Sequence, residues 1–259
     1  MELVEQLPLT LGVLALTSLV VCVGTVLQVA TGGGLGLLAG PVLILSLQSE
    51  TAIFVAIILN LIVSVVLLPQ ERGEISWQPL RLLLVGTLVG VPLGWLVLQQ
   101  IEATTLKLFT GVVVLGAAIQ LILLSRQAAV GGGKSVRLRT LMGGGFSGFM
   151  SGCLAIPGPV AMWTLLQRNI APSQVRATLR ALFVFSYSAA FLVHFGLGGE
   201  TATGWSTVAA LVPALAVGVA LGIVVKRNVR EASLHVALRL ILLAMGLSLL
   251  WKGILDVTA

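Results

Sequence analysis

Charge is scarce in this chain. Of 259 residues, 9% are Asp, Glu, Lys or Arg, and the mean hydropathy is +1.10; an ordinary soluble domain is about a quarter charged. A free-standing soluble protein is therefore excluded. Long polar stretches are missing too. The longest, SRQAAVGGGKSVRLR from about Ser125 to Arg139, is a loop with no room for a fold. Only two cysteines are present, Cys22 and Cys153. Both lie in apolar runs without a CxxC partner, which argues against a disulfide framework. The two histidines, His194 and His235, stand on different apolar stretches with no carboxylate or second ligand nearby. Neither a metal centre nor the acid–base pair of an enzyme is legible, so no metal, cofactor or catalytic activity is expected. Glu50, Glu71, Glu74, Glu102, Glu200 and Glu231 all fall between the apolar runs. A carboxylate proton relay or buried cation site therefore lacks its ligands.

What is present is hydrophobic sequence, 58% of the residues. It comes in continuous runs of roughly 20 residues, the length that crosses a ~30 Å hydrocarbon core as a helix. A membrane barrel would show alternating segments of about 10 residues instead. Long spans are expected at Leu9–Ala30, Thr51–Leu68, Leu80–Leu98, Thr105–Leu124, Val175–Gly196, Trp205–Val225 and Ala232–Leu250. Shorter apolar pieces lie at Leu35–Leu47 and Val160–Leu166, with a glycine-rich one at Leu138–Ile156. The first run follows Met1-Glu2 without a basic lead-in or a clear cleavage site, which reads as a retained span rather than a signal peptide.

A formal charge of +6 would suggest nucleic acid in a soluble protein. Here it reads as the basic bias of cytoplasmic loops. Arg126, Lys134, Arg137 and Arg139 mark one such loop, Arg168, Arg176 and Arg180 a second, and Lys226, Arg227 and Arg230 a third. The connection at Glu200 has no basic residue and reads as external. Counting outward, Gln70–Gln78 is inside, Gln48–Glu50 and Gln99–Thr104 are outside, and both termini are external.

Arg139 to Arg168 then begins and ends inside, so it forms a hairpin of two short segments. Leu9 to Gln48 is its upside-down counterpart. Motifs recur in register: AGPVLI at Ala39–Ile44 with PGPVAM at Pro157–Met162, and GVPLG at Gly90–Gly94 with GVALG at Gly218–Gly222. The expected fold is an all-α polytopic membrane protein of two inverted-topology repeats. Each is a broken-helix hairpin followed by three transmembrane helices, the design of secondary transporters. The chain forms one domain, 1–259, with repeats at about 9–124 and 138–255 and a cytoplasmic linker at about 125–137.

Two stretches break their helices. One offers Gln28, Thr31, Gly32, Gly33 and Gly34, with Pro41 beyond. The other offers Ser147, Gly148, Ser151, Gly152 and then Ile156-Pro157-Gly158-Pro159. Irregular backbone at membrane depth is tolerated where protein or a water-filled cavity covers it. A restarted helix presents free N–H groups and the positive end of its dipole, which suits an anion. Gln28, Thr31, Asn60 and Ser151 are candidate supplementary donors. Asn60 and Ser64 share a helix face that contacts either a ligand or a neighbouring helix.

Arg176, Arg180, Tyr187 and His194 fall within about 40° on one helix at 100° per residue. Arg176 fits a headgroup-level residue. Arg180, a turn deeper, is expected to attract anions. Tyr187 and His194 serve the pathway or pack with satisfied hydrogen bonds. Arg239, four residues after His235, neutralises an anion or snorkels inward. Expected partners are a small anion and the bilayer, with a homodimer left open and no nucleic acid. A multi-pass membrane location is expected.

Gly34-Leu35-Gly36-Leu37-Leu38-Ala39 fits GxGxxA formally, but no soluble βαβ unit surrounds it. The segments ATGGGLGLLAGPVLIL and GGGFSGFMSGCLAIPGPV, by contrast, resemble the TauE/SafE sulfite exporter family over nearly the whole chain. The resemblance implies a bacterial transporter of sulfite, organosulfonates or related small anions, often an exporter. It also implies that Thr31–Gly34 and Ser151–Pro159 line the path, with Gly152, Pro157 and Gly158 among the second set. The alternative kept beside it is an exporter of amino acids or other small neutral or zwitterionic metabolites.

Overall fold

The computed structural model describes residues 11–47, 49–123, 134–168, 170–198, 202–229 and 231–258. Arg126, Glu200, Arg230 and most of the linker lie outside them, as do the side chains of Lys134, Glu231 and His235. The described residues are helical almost throughout: α1 Leu11–Thr31, α2 Leu35–Ser46, α3 Ser49–Leu67, α4 Trp77–Leu98, α5 Ala103–Leu123, α6 Lys134–Leu154, α7 Gly158–Leu166, α8 Pro172–Val193, α9 Ala202–Asn228 and α10 Glu231–Thr258. Two 3-10 turns, Leu68–Gln70 and Arg72–Glu74, join α3 to α4, and a π turn, His194–Gly198, prolongs α8. Seven of these helices are long and apolar enough to cross a membrane. A helix satisfies its own backbone, which lipid cannot do.

α3 is apolar on every face, and every residue from Ala52 to Asn60 is buried. A helix hydrophobic all round belongs in the centre of a bundle, and α3 lies there, packed between α2, α8 and α9. The outer helices instead turn bulky apolar side chains outward, as Val85, Leu88, Val89 and Leu93 do on α4. Lipid, itself apolar, accommodates that face.

Small residues decide which helices touch, as expected where apolar burial no longer distinguishes protein from solvent. α4 lies along α6, α1 along α9 and α5 along α10. A Cβ at Gly86, Gly90 or Gly94 would run into the backbone of α6 at Leu141, Gly145 or Phe149. A Cβ at Gly218 would lie 2.7 Å from the Thr25 Cβ, and one at Gly222 2.6 Å from that of Val29. These contacts also correct the sequence reading of the second break. α6 continues unbroken through Ser147, Gly148, Ser151 and Gly152 to Leu154. Its glycines serve contact with α4: Cβ atoms at Gly148 and Gly152 would strike the Thr87 and Val91 carbonyls. The break itself is only Ala155 to Pro157.

Polar contacts sort the helix ends. Glu71 pairs with Arg180 and Lys226 at 3.0 and 3.1 Å, and Ser173 donates to Glu74. The turn after α3, the start of α8 and the end of α9 therefore share one end of the bundle. Lys107 and Asp256, paired at 2.6 Å, bring the start of α5 and the end of α10 together.

Candidate functional site

The first break is short because its glycines take backbone angles that other residues avoid. Gly32 has φ 89° and Gly34 φ 147°, the region where a Cβ is penalised. Three bonds hold the turn. Gly32 N–H donates to Gln28 O at 3.0 Å. The Thr31 hydroxyl lies 2.8 Å from both the Leu27 and the Gly33 carbonyl oxygens. Gln28 Oε1 accepts from Leu35 N–H at 3.2 Å, capping α2. Gln28 is thus a cap as well as a candidate donor. The amides of Gly36 and Leu37, next in that turn, have no helical carbonyl before them.

The second break leaves α6 through Ala155, the one non-glycine with positive φ among the described residues, 56°. A left-handed residue just past a helix end is a common stop. The carbonyls around it are satisfied by side chains from other elements. Tyr187 Oη donates to Ala155 O at 3.2 Å, Ser147 Oγ to Pro157 O at 2.7 Å and Gln120 Nε2 to Pro159 O at 2.7 Å. His194 Nε2 lies 2.8 Å from Gly152 O. Pro157 and Pro159 lack N–H groups, so the start of α7 is poorer in donors than the start of α2.

One face of α8 therefore tends both breaks. Arg180 Nη2 donates to Val29 O at 3.1 Å, in the last turn of α1. Tyr187 and His194 do the same for α6, and Arg176 lies against Gly32, where a Cβ would be 3.4 Å from its Cγ. The stripe expected from the sequence exists, and its main task is to satisfy carbonyls that a broken helix leaves over. Arg180 is 3% exposed and held between Glu71 and Val29 O. Glu71, placed in a loop by the sequence, folds back far enough to neutralise it.

Between the breaks lies a cavity of about 300 Å³, at the small end of ligand sites. Its wall runs along α8 from Pro172 to Tyr187, about 22 Å at 1.5 Å per residue. Of the residues singled out from the sequence, Gln28, Thr31, Gly32, Gly33, Gly34, Ile156, Gly158, Pro159, Arg176 and Tyr187 line it. Among the described lining residues Arg176 carries the charge and none is acidic.

The others stand back. Asn60 Nδ2 donates to Ala56 O and Ser64 Oγ to Asn60 O, bonds within their own helix. Ser151 faces the Ser186 carbonyl at 3.5 Å, and Gly152 packs on α4. Pro157, Arg180 and His194 act from behind the wall. Arg239 is half-buried next to Leu238, which does line it.

The sequence reading missed Gln120 and Gly36, both on the wall. Gln120 had a signal, since it is the lone amide in the apolar run of α5, and polar groups at that depth are functional candidates. Gly36 had none beyond the glycine pattern. A Cβ there would meet Ala155 O at 2.8 Å, Tyr187 Oη at 3.4 Å and Asn60 Nδ2 at 3.5 Å, so this is where the two breaks approach one another.

Compared with known proteins, residues 16–249 match the family model described as sulfite exporter TauE/SafE. No curated protein and no solved structure matches the chain.

Proposed function

Because the chain belongs to the sulfite exporter TauE/SafE family, we propose that it is a secondary transporter that exports small sulfur-containing or organic anions, sulfite and sulfonates among them, by alternating access. The observation that carries this reading is the cavity. It is bounded by both helix breaks, is lined by Arg176 and has no acidic side chain among its described lining. The start of α2 turns the positive end of its dipole toward the same space. Arg176 accounts for the attraction and the break amides for the coordination.

Two halves of one domain, related as inverted repeats, account for the helix pairing. Exchanging α1–α5 with α6–α10 turns the α4–α6 contact into the α9–α1 contact and leaves α3–α8 and α5–α10 unchanged. The glycines carry the same relation: Gly90 and Gly94 meet α6, and Gly218 and Gly222 meet α1.

With basic ends inward, the mouth near Pro172 and Arg176 faces the cytoplasm of a bacterial inner-membrane protein, and both chain termini lie outside. At the far end Phe54, Phe191, Phe195 and Trp205 form an aromatic cluster with ring centroids 5.4–6.4 Å apart, Phe191 stacked on Phe195 and Trp205 edge-on to the three phenyl rings. The membrane potential, negative inside, favours anion exit by ~2.3 kcal/mol per charge per 100 mV.

The test is thermal stability of the purified protein with sulfite, thiosulfate, sulfate, acetate or a neutral amino acid at matched ionic strength, followed by flux in liposomes. Sulfur oxyanions at 100 times Kd should stabilise it by ~2.7 kcal/mol. Stabilisation by the amino acid alone would replace the anion reading with metabolite export.

A further inference from the structure

The cavity carries five polar side chains among the described residues, Gln28, Thr31, Gln120, Arg176 and Tyr187, and their hydrogen bonds outside it decide what they present inside. Gln28 commits Oε1 to the Leu35 amide. Flipping that carboxamide would set an N–H against an N–H, so Nε2 is held as a donor on the wall. Gln120 is locked the opposite way. Its Nε2 is 2.7 Å from Pro159 O, and a flip would set two oxygens together, so Oε1 is held as an acceptor. Such orientations follow from the hydrogen-bond network around each amide.

The two hydroxyls act as acceptors as well. Tyr187 spends its proton on Ala155 O. Thr31 spends its own on Leu27 O or Gly33 O. Only lone pairs remain for a ligand. The wall thus has two faces: Gln28 Nε2 and Arg176 donate, while Gln120 Oε1, Tyr187 Oη and Thr31 Oγ1 accept.

A bare oxyanion matches the first face and is repelled by the second. From this we infer that the substrate joins an anionic, sulfonate-like head to a hydrogen-bond donor of its own, an O–H or N–H group, and that Gln120 Oε1 selects for that donor. The inference rests on the anion reading above and narrows it. A site built to hydrogen-bond a ligand O–H or N–H discriminates against analogues lacking it, because its own buried acceptors are then left unpaired. A hydroxyl or ammonium group serves equally as the donor, so both are tested.

The experiment is titration of the purified full-length protein with three sulfonates of nearly equal size: 1-propanesulfonate, 2-hydroxyethanesulfonate and 2-aminoethanesulfonate. One added hydrogen bond should make the hydroxyl compound bind about tenfold more tightly than the alkyl one, and the amino compound at least as tightly. In Gln120→Met the ratio of hydroxyl to alkyl affinity should fall to about one. Equal binding of the alkyl and hydroxyl compounds by the unaltered protein would overturn the inference while leaving the anion site standing. That comparison needs no variant to fold. A preference that survives in Gln120→Met would remove Gln120 from the role. Failure of all three to bind would remove both the selectivity and the anion site beneath it.

Discussion

At the scale of single residues, neighbours decide what each glycine and arginine does. Gly33 has open space where a Cβ would go and no positive φ, whereas Gly34 has φ 147° and only 3.1 Å to the Leu27 Cβ. Gly33→Val should therefore fold and fill the mouth of the break, lowering anion affinity at least tenfold at an unchanged melting temperature. Gly34→Ala should instead cost ~1–2 kcal/mol of stability, the penalty of forcing a Cβ into left-handed geometry. Paired melting and binding curves separate the two, and unchanged affinity in Gly33→Val would take that segment out of the site.

Arg180 makes a similar point. Its guanidinium is occupied by Glu71 and Val29 O, so Arg180→Leu leaves a carbonyl and a carboxylate short of a partner and should cost about 2 kcal/mol. Adding Glu71→Gln should recover part of the loss. Chemical denaturation in detergent reads both, and full stability in the single variant would show that the pair contributes nothing.

At the scale of elements, a helix can stop inside the bundle only if something else completes its hydrogen bonds. α8 does this with a side chain every turn or two. Tyr187→Phe frees Ala155 O and His194→Leu frees Gly152 O, and each should destabilise by ~1–3 kcal/mol, the cost of an unsatisfied buried group. Loss should appear first as faster amide exchange in α6 and α7. Protection unchanged in both variants would mean that the stripe is not what holds the break. The glycine seams are the other element-scale device. Gly90→Ala has no room beside the Gly145 carbonyl and should sharply reduce the folded fraction. Gly116→Ala, with nothing within 4 Å of its Cβ, should leave the folded fraction as it is.

At the scale of the whole molecule, the ends of the bundle carry the orientation. In a chain with Cys22 and Cys153 replaced, Glu74→Cys should react with an impermeant maleimide from the cytoplasmic side, and Lys107→Cys from the outer side. The reverse pattern would invert the protein and turn the cavity outward. A single Gly33→Cys should label from the cytoplasmic side and be protected by bound anion. Labelling from both sides at once would describe a channel rather than alternating access.

The sequence by itself determined the class of molecule, its helices and the place of the first break. Backbone that must bond to itself in lipid leaves few alternatives to a row of apolar helices, and a triple glycine is a local fact. The bounds of six of the seven long spans were legible within about three residues for that reason, while α10 runs on to Thr258, eight residues past the expected end at Leu250. The tertiary structure decided how the remaining small residues and polar groups divide their work. Gly148 and Gly152 are as glycine-like as Gly33, yet they are spacers, because α4 lies against them. Arg180, expected to attract anions, stands behind the cavity wall, and Gln120, to which the sequence reading gave no role, lies on it. Whether a buried donor or acceptor is free depends on which carbonyl the rest of the fold brings to it, and no spacing along one chain contains that partner.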